Sequence, residues 1–141
     1  MELVVDTNIL YTYFWKDSFT KKIILSQDIK LHAPEFSLIE INKYKADIIK
    51  KTKISEKEFE NSKIDIAISV NFMPEDKYSA FLKKSLEISP DSDDIDFFSL
   101  CLKLNLPLWS NDSRLKKQNK VPVFSTKDLF DKFFEIVFPE D

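Results

Sequence analysis

The sequence contains no glycine. Phosphate-cradling loops and dinucleotide-binding turns need glycine, both for positive φ and for close backbone approach to phosphate, so both classes are excluded. Cysteine and histidine occur once each, as Cys101 and His32. One thiol cannot form an internal disulfide, and the pair under-supplies a structural zinc site or a Ser-His-Asp triad. No apolar run approaches the roughly 20 residues that span a membrane. Glu2-Leu3-Val4-Val5 follows Met1 with no basic stretch and no small-residue cleavage site, so no signal peptide is expected. The expectation is a cytoplasmic protein without membrane association.

What remains for chemistry is carboxylate. Asp and Glu number 24 against 21 Lys and Arg, a net charge of −3, and carboxylates prefer hard cations such as Mg²⁺ or Mn²⁺. The cations are unevenly spread. Lysines gather at Lys43, Lys45, Lys50, Lys51 and Lys53, and again at Lys116, Lys117 and Lys120 beside Arg114, the only arginine. Such runs are ordinarily solvated helix faces. With 141 residues, 43% of them apolar, the chain suits one domain with a single core, residues 1–141.

Leu3-Val4-Val5 is a short β-branched run, the signature of a buried strand, and Asp6-Thr7-Asn8 suits the cap of a following helix. Further strands are predicted at Lys30–Ala33, Pro107–Trp109 and Pro122–Phe124. Helices are predicted near Phe19–Ile24, Glu35–Lys51, Glu56–Ala67, Lys77–Leu86 and Ile95–Leu104, with a last one after Ser125-Thr126. In the second of these, Phe36, Ile39, Tyr44 and Ile48 lie near helical spacing. Short apolar strands alternating with helices imply parallel pairing, hence an α/β fold: a three-layer α/β/α sandwich around a mainly parallel sheet. In such sheets ligands bind at the carboxyl ends of the strands.

Asp6 and Asp112 each end a predicted strand and should share that edge. Asp94 opens the helix feeding the third strand, eighteen residues before Asp112. Glu40 sits beside an apolar helical face. Each acid alone has an ordinary explanation, as a cap, an Asx turn or a first-turn acid. Together they would repel one another, and a cation would offset that repulsion. Asp91, Asp93 and Asp96 lie close to Asp94; the spacing to Asp112 selects Asp94 from this group.

These segments resemble the PIN-domain ribonucleases, a family that includes toxin subunits of type II toxin–antitoxin pairs. The resemblance rests on the strand leading into Asp6-Thr7-Asn8, on Pro34-Glu35-Phe36-Ser37-Leu38-Ile39-Glu40, on Asp93-Asp94 before an apolar helix, and on Trp109-Ser110-Asn111-Asp112. It runs from Leu3 to about Phe134. It implies that Asp6, Glu40, Asp94 and Asp112 hold Mg²⁺ or Mn²⁺ and catalyse RNA hydrolysis. Asn8 and Ser110 would assist, Ser110 standing where many members carry threonine. Arg114, Lys116 and Lys117 are candidate phosphate contacts. The resemblance also implies an antitoxin protein as partner and a homodimer, for which the aromatic end (Phe130, Phe133, Phe134, Phe138) is a candidate surface, although core packing explains those residues better. Two other readings are a phosphatase-like enzyme with Asp6 as nucleophile, which lacks its second acid at Asn8, and a PIN-like module retained for RNA binding or scaffolding without catalysis.

Overall fold

The computed structural model describes residues 1–16 and 18–137. Strand β1 (Glu2–Val5) runs into α1 (Thr7–Tyr11) and a 3₁₀ turn, Thr12–Phe14, then α2 (Phe19–Leu25) and β2 (Lys30–Pro34). Next come α3 (Glu35–Lys43), α4 (Lys45–Thr52), α5 (Glu56–Ser69) and β3 (Val70–Met73). Two 3₁₀ turns lead to α6 (Leu82–Ile88), and a third, Ser92–Asp94, opens α7 (Ile95–Leu104). Strand β4 (Leu108–Trp109), a 3₁₀ turn at Ser113–Lys117, β5 (Val123–Phe124) and α8 (Thr126–Val137) complete the order.

All four strand pairings are parallel, and the sheet order is β3-β2-β1-β4-β5. The α/β/α sandwich follows from how β1 divides its side chains. Leu3 and Val5 join Leu31, Ala33 and Trp109 in one core with α1, α2 and α5. Val4 joins Leu108 and the Phe97, Phe98 and Leu100 face of α7 in the other. That is the period-two alternation of a strand covered on both sides. Because β2 and β4 flank β1 on opposite sides, the chain reverses direction across the sheet between β1 and β4. The crevice at their carboxyl ends is where such folds place ligands. Among the described residues no helix is long and apolar enough to cross a membrane.

Three expectations change. Strand β3 falls outside the predicted strands because it is an edge strand: only Val70 is buried, while Asn71 is exposed and Phe72 and Met73 partly so, leaving no apolar run to read. The predicted helix at Glu35–Lys51 breaks at Tyr44, whose ring meets Tyr11 edge-on at 6.4 Å. Lys45 then pairs with Glu56 and Glu60 at 2.8 Å each, tying α4 to α5. The inward positions there are Ser37, Ile41 and Ile48, whereas Ile39 is 62% exposed. The helix expected at Lys77–Leu86 starts only at Leu82, since Tyr78 is turned inward and its hydroxyl donates to Asp96 at 2.6 Å. Of the aromatic C-terminal end, Phe130 meets Phe19 edge-on at 5.2 Å. Phe138 and the side chains of Phe133 and Phe134 lie outside the described residues.

A chain without glycine must end some helices with other residues in the left-handed region. Lys53 (φ 60°) closes α4 and Asn105 (φ 57°) closes α7. Asparagine tolerates this conformation; lysine bears roughly 1–2 kcal/mol of Cβ strain, against which glycine's extra chain entropy is about 0.5–1 kcal/mol. Lys53→Gly should therefore stabilise the protein by about 0.5–1 kcal/mol, and Asn105→Gly by less. Urea unfolding midpoints measure both. A destabilised Lys53→Gly would show that the lysine side chain matters more than its backbone strain.

Candidate active site

Asp6 stands one residue past β1 and caps α1. Its Oδ1 accepts the Ile9 N–H at 2.9 Å, while its own N–H donates to the Trp109 carbonyl at 3.2 Å. It is only 4% exposed. Burial pushes its carboxyl above the ordinary aspartate value, and the charge of Asp112 adds to this, against hydrogen bonds from Ser110 and Ile9. Ser110, buried at the end of β4, also accepts the Asp112 N–H at 3.1 Å. One hydroxyl thus ties the β1 turn to the β4 turn.

A cavity of about 280 Å³ opens at this edge. Asp6, Glu40, Asp93 and Asp94 supply its acidic wall, with Thr7 and Asn8 beside them. Phe36 and Phe97, meeting edge-on at 5.4 Å, close its apolar side. Glu40 arrives from α3 because Pro34 ends β2 and the helix then climbs from the same sheet edge. Burial raises its carboxyl, and Asp93 raises it further against Lys43. Asp94 is pushed up to about 6, first by burial and then by Asp91, Asp6, Asp112 and Asp93.

Three of the four acids singled out in the sequence therefore share one cavity wall. Asp112 lies beyond it. Arg114 folds back over Asp112, with Nη2 to Oδ2 at 2.8 Å and Nε to Oδ1 at 3.1 Å, and reaches Asp91 at 3.2 Å. That guanidinium holds Asp112 below the usual carboxylate range. Among the neighbours of Asp94, Asp96 is taken up by Tyr78, and Asp91 by Arg114. Only Asp93 joins Asp94 at the cavity. Asn8 is exposed at the rim, Lys116 pairs with Asp128 at 2.7 Å, and Lys117 is exposed.

The single histidine and the single cysteine lie away from this cavity. His32 is buried between Glu2 (3.0 Å) and Asn71 (3.1 Å), and Cys101 is buried in the α7 core. Thr7, Phe36 and Phe97 were not singled out: Thr7 and Phe36 lie inside quoted motifs as spacers, and Phe97 is one of many apolar residues of its helix; Thr7 is held by Ser37 at 2.9 Å.

The donor set fits a hard divalent cation: it is all oxygen, and its members raise one another's affinity for positive charge. Among the described residues no three acidic, histidine or cysteine side chains converge closely enough to enclose an ion. Burial, and after it the neighbouring charges, fixes how stability follows pH at Asp94. Asp94, raised from 3.8 to about 6, binds its proton more tightly in the folded protein. Its contribution is complete below the unfolded value and disappears as pH rises through about 6. Asp94→Asn should therefore flatten the loss of metal-free stability between about pH 4 and 6.5, as read from urea midpoints. An unchanged slope in the mutant would mean that Asp94 is not raised in the folded protein.

No curated protein matches this sequence. A chain in the crystal structure of VapBC2 from Rickettsia felis, bound to a DNA fragment from their promoter, is similar in fold. It aligns with a TM-score of 0.59 and 19% identity over 89% of this chain and 98% of that one. The model of the PIN domain family matches residues 4–126, from β1 to the head of α8, so the acidic cavity lies wholly within the match, and the chain belongs to the PIN domain family.

Proposed function

We propose that this protein is a metal-dependent endoribonuclease, the toxin of a toxin–antitoxin pair. One observation carries the reading: acids from three separate elements, Asp6, Glu40 and Asp94, surround a single cavity at the carboxyl ends of β1 and β4. Such an arrangement is electrostatically unfavourable without a positive ligand. Family membership and the likeness to a VapBC2 chain support both the nuclease and the antitoxin partner.

Asp6, Glu40 and Asp94 would hold Mg²⁺ or Mn²⁺, with Asp112 as the fourth acid when released from Arg114. When bound, the ion supplies Lewis acidity and positive charge that offset the negative charge developing on the phosphate. The Ser110 hydroxyl orients Asp6 and the Asp112 turn. Asn8, at the cavity rim, offers an amide donor and acceptor to the ribose-phosphate chain. Glu40 and Asp94 line the cavity that an attacking water would enter, and either carboxylate would serve as its base. Arg114, Lys116 and Lys117 would meet phosphates of the same strand; Lys117 is the readiest of the three, since the others are held by Asp112, Asp91 and Asp128. A phosphatase-like use of Asp6 as nucleophile is disfavoured by its burial and by its bond to Ile9.

Asp6→Asn and Asp94→Asn should each lower Mn²⁺-dependent RNA cleavage by roughly 100-fold or more, given that even outer partners of metal ligands matter 10–100-fold. Mn²⁺ at about 100 times its dissociation constant should stabilise the wild type by roughly 2.7 kcal/mol at pH 7, less near pH 5, and hardly at all in Asp6→Asn. Thermal melts read this without turnover. An equal shift in the mutant, or full cleavage by it, would falsify the assignment. Lys117→Ala should reduce the salt slope of RNA affinity by about 1; an unchanged slope returns Lys117 to ordinary surface.

A further inference from the structure

A second and larger cavity, about 430 Å³, adjoins the acidic one. The two share Asn8 and Glu40 as walls, so a ligand at one is within reach of the other. Its remaining lining combines three aromatic rings, Tyr11, Trp15 and Tyr44, with Lys51, Asp47, Ile48 and Thr52 from α4. Tyr11 and Tyr44 brace each other at 86°, and the Lys43 ammonium lies over the Tyr44 ring at 5.5 Å. Trp15 has no such engagement: it is 49% exposed and makes no ring or cation contact among the described residues. The other tryptophan, Trp109, is fully buried and donates its indole N–H to Thr126.

Folding does not require an indole at this position to face solvent. A flat exposed ring and a volume suited to a small ligand match an unpaired nucleotide whose base stacks on the indole; Lys51 is the cation on this wall, which also carries the carboxylates of Glu40 and Asp47. The shared wall favours a strand over a separate small molecule. Its backbone can pass Asn8 into the acidic cavity while a neighbouring base turns aside onto Trp15. We infer that this cavity is a base-stacking subsite, holding an unpaired nucleotide beside the scissile phosphate of single-stranded RNA. The inference rests on the nuclease reading and adds how that site selects unpaired strand. A duplex cannot enter, because the base must leave its partner to reach the indole.

The experiment titrates the full-length protein with short single-stranded oligoribonucleotides in Ca²⁺, and with versions made abasic at one position at a time. Intrinsic fluorescence serves as readout, since Trp109 is shielded and quenching reports Trp15. Wild-type fluorescence should be quenched, and Trp15→Ala should weaken binding about 5- to 150-fold, the range of one base stack. Trp15→Phe should retain most of the affinity. One abasic position should weaken wild-type binding as much as Trp15→Ala does, and should weaken the Trp15→Ala variant no further. Anisotropy of labelled RNA follows the variants that lack the indole.

Unaltered affinity in both Trp15→Ala and Tyr44→Ala, or losses that simply add, would overturn the subsite. So would a Trp15→Ala variant that binds RNA normally but loses a protein partner, since the cavity would then be a protein-docking surface. Failure of the nuclease reading looks different: Mn²⁺ would then drive no cleavage in the wild type, whereas failure of the subsite alone leaves that cleavage intact.

Discussion

The burial of the Asp6 carboxylate, with further acids close by, is the constraint around which this molecule is arranged. Asp6 is placed almost out of solvent, where an isolated aspartate would take up a proton rather than remain charged. The surrounding structure limits that tendency with specific bonds. The Ile9 amide and the Ser110 hydroxyl both stabilise the charged form. Those two partners come from α1 and from the end of β4, so keeping Asp6 ionisable also fixes the angle of the first helix and the junction of the two central strands. The sheet order places this junction at its reversal point, and α3 and α7 then deliver Glu40 and Asp94 to the same space.

Arg114 gives the site a second source of positive charge. Its guanidinium spans Asp112 and Asp91, residues on either side of α7 and β4 in sequence, and so gathers the outer acids while the inner ones remain around the cavity. Binding a divalent ion with all four acids would require Asp112 to exchange one cation for another. Such an exchange gives up the two-point contact with Arg114, a loss that an unpaired carboxylate would not bear. The difference between inner and outer acids thus lies in what compensates each, as well as in depth.

Most of the architecture was legible because strand alternation and helix caps are local signals. Leu3-Val4-Val5, with Asp6 after it, declares a buried strand and a cap without reference to the rest of the chain. Strand β3 was not legible, since an edge strand covered on one side carries half the pattern. The break at Tyr44 was hidden for another reason: it depends on Tyr11 and on Glu56 and Glu60, which the helical period of α3 and α4 cannot register. At the site, Asp6, Asp94 and Asp112 were visible through their positions at element ends, and Glu40 through its place beside an apolar helical face. The neighbours of Asp94 were separable only by their partners, Tyr78 for Asp96 and Arg114 for Asp91. Those are contacts between distant segments, and spacing alone carries no trace of them.

The placement of β1 has a consequence for the molecule's own synthesis. Val5 pairs with Trp109, more than a hundred positions later, and the Ser110 hydroxyl that steadies Asp6 follows directly. Parallel pairing over such a span is among the slower events in folding, since a long loop must close before any bond rewards it. A ribosome therefore releases Asp6 more than a hundred residues before Ser110. Throughout that interval the apolar edge of β1 has only β2 to shield it, which leaves the nascent chain open to capture by chaperones or by other strands. The acidic cavity acquires its final form only when β4 docks, so a truncated polypeptide stopping short of that strand would carry three of the acids and no competent centre.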